Sequence, residues 1–176
     1  MMTETDTPTK EDQCDESHID NHKTQYLTFT LADEEYGVDI LRVQEIRGWE
    51  VATRVPNAPS YVKGVLNLRG SIVPIFDLRE RFELHIHAYT KDTVVVVLRV
   101  NGEAGMCIMG VVVDAVSDVL NAGHEGIVCA PDFGDRIATE FISGLVSAGG
   151  KMVMLLDVDK LLNQDKQEEV DKADAA

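Results

Sequence analysis

His85 and His87 alternate, so on a strand both would face one side, as paired metal ligands do. No cysteine or further histidine stands close enough in sequence to complete a zinc-type set. Two exposed loop histidines are the plainer reading. Asp132-Phe133-Gly134 has the form of the magnesium-binding triplet of protein kinases. The chain has no Gly-rich loop and no His-Arg-Asp catalytic loop, and 176 residues are too few for that fold. No Gly-x-Ser-x-Gly elbow, phosphate loop or zinc spacing occurs. Cys14, Cys107 and Cys129 are odd in number and widely spaced, which is no disulfide framework. Cys107 lies in an apolar run and reads as a small core residue. Scattered carboxylates leave acid–base catalysis open in principle, but nothing points to it, and the chain reads as a non-enzyme with no cofactor. The residue that asks for an explanation is Arg69, a charge beside Gly70 between two apolar runs, Asn67-Leu68 and Ser71-Ile72-Val73-Pro74-Ile75-Phe76.

The elements around these residues read as short strands. Gly70 allows a left-handed turn, so Arg69-Gly70 is the tip of a tight hairpin. Pro74 would remove a ladder hydrogen bond and argues for an edge strand or a bulge. Leu27, Phe29 and Leu31 alternate with threonines as a half-buried strand. Ala32 to Glu35 makes a turn, and Tyr36 to Ile40 returns. Ile40, Val43 and Ile46 are three apart, which fits a helical turn or an irregular strand equally well. Tyr61 to Gly64 has the form of one helical turn stopped by glycine. Thr93 to Val100 holds four consecutive valines, a strand buried on both faces. Asn101-Gly102 opens a loop longer than two residues before the return strand Met106 to Val113. A last hairpin joins Phe141–Ser147 to Lys151–Leu156 through Gly149-Gly150, and a short helix follows from about Asp159. No internal repeat stands out. Many short strands punctuated by Gly and Pro predict a mainly β sandwich or barrel.

The net charge of −15 is concentrated at the ends. Residues 1–24 carry seven acids against Lys10 and Lys23 and are almost free of apolar side chains, so a disordered acidic tail is expected. Residues 163–176 are again acidic and read as a fraying helix end or tail. This balance repels polyphosphate and anionic lipid, excluding nucleic acid as a partner. No apolar run approaches the ~20 residues of a membrane span, and the N-terminus is unlike a secretory signal. A cytoplasmic location without membrane insertion is expected.

The run Asn67-Leu68-Arg69-Gly70-Ser71-Ile72-Val73-Pro74-Ile75-Phe76-Asp77-Leu78-Arg79 resembles the signature of the CheW family of chemotaxis coupling proteins. Glu34-Glu35-Tyr36-Gly37-Val38-Asp39-Ile40-Leu41-Arg42-Val43-Gln44-Glu45-Ile46 is similar to its first strands, and Gly110 to Leu120 to its second signature. The resemblance covers roughly 25–162 and implies an all-β domain. Its fold would be two packed SH3-like barrels of five strands each, with short helical turns, a C-terminal helix and a change of subdomain near 80–92. Later strands could return to the first barrel. It further implies an adaptor that binds the regulatory domain of the histidine kinase CheA and the cytoplasmic tip of methyl-accepting receptors, recruited to arrays at the inner face of the membrane. Val43, Glu45, Ile46, Gly64, Gly110 and Val119 align with binding positions of the family, and Arg69 with an arginine that pairs with Glu45. Other readings are the same adaptor in a different chemosensory pathway, an unrelated SH3-like binding module, and a small carboxylate enzyme.

Overall fold

Alternation in the first ordered segment becomes β1 (Thr24–Leu31), which folds back on β2 (Glu34–Asp39). The turn is only Ala32-Asp33, both with positive φ, tighter than the four residues expected. The structure is a computed structural model that describes residues 23–85, 88–131 and 140–163. The acidic tail through residue 22, Cys14, His87, Asp132-Phe133-Gly134 and the chain after 163 lie outside the described residues.

The threefold spacing of Ile40, Val43 and Ile46 has two causes. A 3-10 turn spans Ile40–Arg42, with the Asp39 carboxylate accepting from the Leu41 N–H at 2.9 Å. The edge strand β3 (Val43–Gly48) then carries a bulge between Val43 and Glu45. A bulge inserts one extra residue, so Val43 and Ile46 share a face opposite Leu98 and Val96 while Glu45 stands opposite Val97.

Hairpin β4 (Val62–Leu68) and β5 (Ser71–Asp77) turns at Arg69-Gly70, with φ of 53 and 88°. The helical turn expected over Tyr61–Gly64 is instead the start of β4. Gly64, at φ 134°, follows a register shift and lets the strand meet Thr53, whose N–H and C=O bond Val65 at 3.0 and 2.8 Å. Nor is β5 an edge strand: it lies between β4 and β7 (Gly105–Val113). Its parallel pairing with β7 runs from Ile75 to Asp77, so Pro74 sits just before that ladder, where no donor is needed on that side. Between them come the four-residue helix α1 (Leu78–Arg81) and β6 (Val94–Gly102). The β6–β7 pairing continues to Gly102 opposite Gly105, which leaves a two-residue turn rather than the longer loop expected. The chain closes with β8 (Ala115–Ala122), the short β9 (Ile127–Val128), hairpin β10 (Ile142–Ala148) and β11 (Lys151–Leu156), and helix α2 over 158–163.

The strands form two sheets, in the orders β8-β1-β2-β11-β10-β9 and β3-β6-β7-β5-β4. The fold is mainly β, in two SH3-like subdomains. One sheet has six strands instead of five, because β9 adds a short edge. The expected change of subdomain near 80–92 does not coincide with a change of sheet, since β5 and β6 lie together in the second. The chain crosses between sheets at Asp39–Arg42 and again at Asp114. A shared core holds Phe29, Leu31 and Val38 from the first sheet against Val96, Leu98 and Val111 from the second, sealed by Leu161 and Leu162 of α2. Val95 and Val97 face a second cluster inside the β3–β7 barrel, so the valine run is buried on both sides.

An internal duplication emerges that the sequence had hidden. Gly64, Gly70, Val73 and Asp77 recur as Gly144, Gly150, Val153 and Asp157, each 80 positions on. Register shifts fall at Val62/Gly64 and Ile142/Gly144. The Asp77 N–H donates to Tyr61 O at 2.7 Å, and the Asp157 N–H donates to Phe141 O at 2.7 Å. Strand β5 runs parallel to β7 with Ile75 opposite Gly110; β11 runs parallel to β2 with Leu155 opposite Gly37. The second unit completes its sheet with the N-terminal hairpin, so the repeat is circular in sequence, and a linear comparison of halves misses it.

Candidate functional site

Glu45 and Arg69 meet with Nη2 to Oε2 at 3.2 Å. Each is placed by local backbone chemistry: Glu45 by the β3 bulge, Arg69 by the hairpin tip, which the Asn67 side chain braces by accepting from the Gly70 N–H at 2.9 Å. Strands β3 and β4 are opposite edges of a five-stranded sheet. In a flat sheet they would lie roughly 19 Å apart. The Thr53–Val65 bridge carries the chain after β3 across to β4, which curls the sheet into a barrel and brings the two edges together. The Arg69 side chain is 86% exposed and that of Glu45 22%. A pair so open to water contributes only ~0–1 kcal/mol to stability. Beneath it lies a depression of about 100 Å3 walled by Leu68, Val73, Val97 and Ile108. That is well short of the ~300–1,000 Å3 typical of small-molecule sites.

Val43 is half-buried against the shared core and Ile46 is exposed beside it. Val119 is exposed on β8, the edge of the other sheet, opposite Leu27. Gly37 and Gly110 hold equivalent places, each opposite a matched residue of β11 or β5. Counting from them, Val43-Gln44-Glu45-Ile46 corresponds to Val116-Ser117-Asp118-Val119. The two apolar positions taken from separate motifs are thus one position seen twice. The 3-10 turn between β2 and β3 touches both β1 and β6, the strands next to the β8 and β3 edges. At the place of Arg69 the second unit has Gly149, so only one edge carries an arginine at its hairpin tip.

Gly64 and Gly110, also expected at the binding surface, are packed into β4 and β7. A Cβ on Gly64 would stand 2.1 Å from the Thr53 carbonyl oxygen, and one on Gly110 2.5 Å from Ile75 Cδ1 and 2.9 Å from Val95 Cγ1. Both are buried glycines that allow close strand packing.

Sequence reasoning missed two features. Leu41, at the 3-10 turn, is 79% exposed beside Val43. Nothing in its own letters separates it from the apolar residues around it, Ile40 and Val43. The second is a buried cluster at the end of the Asp77-Leu78-Arg79 motif. The Arg79 N–H and Nε donate to Asp77 Oδ1 at 3.0 and 3.1 Å, Nη2 to Oδ2 at 2.8 Å, and Nη1 to Asp114 Oδ1 at 2.8 Å. The Tyr89 hydroxyl donates to Asp77 Oδ2 at 2.9 Å, and its ring lies under the guanidinium and against Trp49. Burial pushes the Asp77 carboxyl up, but the hydrogen bonds and charge of Arg79, with the Tyr89 hydroxyl, outweigh it and hold Asp77 below its ordinary value. Burial, then the charge of Asp77, raises the Tyr89 phenol. Asp114 Oδ2 also accepts from the Ala32 N–H at 2.8 Å, which ties this cluster in the second sheet to the β1–β2 turn of the first. Among the described residues, no group of three or more His, Cys, Asp or Glu side chains could hold a metal ion. No helix among them is long and apolar enough to cross a membrane.

A CheW-like domain model matches residues 25–166. The chain belongs to the CheW family. Chemotaxis protein CheW of Klebsiella aerogenes is 48% identical over 147 residues, covering 84% of this chain and 86% of that protein. Its namesake in Rhizobium meliloti is 34% identical, covering 86% of this chain and 95% of its own. The crystal structure of scaffolding protein TtCheW from Thermoanaerobacter tengcongensis aligns with a TM-score of 0.72 at 28% identity, over 80% of this chain and 92% of that one. The CheW-family domain is accordingly a scaffold and not an enzyme. The exposed pair and the apolar edges beside it suit binding.

Proposed function

We propose that this CheW-family protein is an adaptor that couples chemoreceptors to the histidine kinase CheA by holding both. The observation that carries the reading is the β3 edge. Exposed Leu41 and Ile46 adjoin half-buried Val43 and the Glu45–Arg69 pair, and Val119, the equivalent of Ile46, is exposed on the β8 edge of the other sheet. Apolar anchors rimmed by a charge pair are the anatomy of a moderate, reversible protein interface. The receptor tip would occupy this surface, with Val43, Ile46 and Val119 as anchors and Glu45–Arg69 holding the hairpin tip beside them. The regulatory domain of CheA would dock elsewhere on the double barrel. Holding both partners raises the effective concentration of each for the other, which couples them without chemistry. The protein would then work at the inner face of the membrane, recruited by its partners.

The test is a calorimetric titration with the isolated regulatory domain of its own organism's CheA. Saturable 1:1 binding in the micromolar range or tighter is expected. No binding between two folded partners would sink the adaptor reading.

A further inference from the structure

The duplicated units each carry one ion pair between a sheet crossover and the segment that follows the second hairpin, and the two pairs have opposite polarity. Arg79 and Asp159 hold equivalent places, each two residues past the matched Asp77 and Asp157. Arg79 reaches Asp114 in the β7–β8 crossover at 2.8 Å. Asp159 is reached by Arg42, the last residue of the β2–β3 crossover, whose Nη1 and Nη2 donate to its two oxygens at 3.3 and 2.7 Å. Their settings differ. Arg79 is fully buried, locked by Asp77 and stacked on Tyr89. Arg42 and Asp159 are 30% and 26% exposed. Asp159 Oδ1 also accepts from the Asn101 N–H at 2.7 Å, and Asn163, one turn on in α2, donates to Asn101 O at 2.8 Å. Helix α2 therefore grips both the crossover that delivers β3 and the end of β6, the strand on which β3 lies.

We infer that Arg42 and Asp159 form an openable latch through which α2 positions the β3 edge, so that they are positioning residues for Val43, Glu45 and Ile46. The Arg79–Asp114 pair fixes one crossover permanently. The Arg42 pair is accessible to water and salt, and its release frees the 3-10 turn and β3 while the buried pair keeps the sheets together. The bidentate geometry makes the latch directional. Arg42 adjoins Val43 in the chain, so the latch ties α2 to the point where β3 begins. The functional consequence rests on the proposal that this edge binds the receptor tip; the latch itself does not.

The test is amide hydrogen exchange on the full chain, read over 41–48, for Asp159→Ala and for the exchanged pair Arg42→Asp with Asp159→Arg. Asp159→Ala is expected to speed exchange over 41–48 about fivefold, the effect of losing a half-exposed pair, with exchange in β7 and β11 unchanged. The exchanged pair restores the ion pair but not the acceptor of the Asn101 N–H, so it is expected to recover part of the protection, and 0.5 M NaCl is expected to mimic the single variant in the wild-type protein through screening. Unchanged exchange over 41–48 in Asp159→Ala, or no recovery in the exchanged pair, overturns the latch. If Asp159→Ala instead raises exchange throughout the chain, α2 contributes global stability only and the latch is equally rejected. Binding of a receptor-tip coiled-coil fragment then separates the two claims. Faster exchange over 41–48 with unaltered fragment affinity leaves the latch standing and removes β3 from the receptor surface. Weaker fragment binding alongside unaltered binding of the CheA regulatory domain supports both.

Discussion

Two arginines a few positions apart in one motif do opposite work, because one is wet and the other dry. Arg69 is almost fully exposed, so its pair with Glu45 is screened and flexible. Arg69→Ala should lower stability by no more than ~1 kcal/mol in urea denaturation. The same change should weaken binding of a receptor-tip fragment severalfold, since it removes a brace of the proposed surface. Full stability and full binding together would refute a role for the pair. Arg79 has no exposed surface, and Asp77 accepts three of its hydrogen bonds. Removing one member of such a pair strands the other, so Asp77→Asn should cost about 3–5 kcal/mol. The pH dependence follows from the sign of the shift. Asp77 is held below its ordinary value in the folded state. Its contribution is complete above the unfolded-state value of about 4 and fades as pH falls through the lower folded value. A melting series in acid should show the wild-type protein losing stability below about pH 4 more steeply than Asp77→Asn. Equal slopes would mean that Asp77 is not the carboxylate responsible. Sequence showed Arg69 as the odd residue because a charge at a glycine turn between apolar runs is conspicuous. Asp77 and Arg79 gave no such signal: their partners, Asp114 and Tyr89, are distant in sequence, and burial of a charged motif cannot be seen from its own letters.

Hairpins were the most legible elements, because alternation and turn glycines are local. Bulges were not, and they decide the site. The shift at Val43/Glu45 turns a threefold spacing, which fits a helical turn and an irregular strand equally well, into two apolar side chains on one face of an edge strand. The shift at Val62/Gly64 turns an apparent helical turn into the strand that closes the barrel. A substitution pair isolates this second device. In Gly64→Ala the added Cβ meets backbone, the Thr53 carbonyl, at 2.1 Å, and φ is 134°. Only movement of the strand can relieve it. In Gly70→Ala the Cβ meets nothing within 4 Å, and φ is 88°. There the cost is backbone strain alone, about 1–2 kcal/mol. Thermal denaturation should therefore rank Gly64→Ala well below Gly70→Ala. Exchange at the Thr53 and Val65 amides should rise in the former only. The reverse order would show that the Thr53 bridge does not hold the barrel shut.

At the scale of the whole molecule, the order of the chain hides the order of the fold. The N-terminal hairpin completes the sheet built by the last strands, while everything from β3 to β7 forms the other. No local pattern encodes that pairing, so the changes of sheet at Asp39–Arg42 and Asp114 carry no signal in the sequence. The duplication stayed hidden for the same reason. The consequence is mechanical: the largest apolar cluster draws on both sheets and on α2, and neither sheet can keep its buried face without the other. Asp114 adds a polar tie between them through Arg79 and the Ala32 N–H. The two subdomains should consequently unfold as one unit despite their separate barrels. The single tryptophan allows a direct check, since Trp49 packs on the cluster inside the β3–β7 barrel and stacks on Tyr89 with ring centroids 4.3 Å apart. Its fluorescence reports one subdomain, and far-ultraviolet circular dichroism reports both. In a urea titration the two signals should share one midpoint and one slope. Asp114→Ala cuts the polar tie and leaves the apolar core intact, so it should lower that midpoint without splitting the curves. A tryptophan transition that separates from the dichroism in the wild-type protein would mean that the shared core does not couple the halves, and that each barrel is stable on its own.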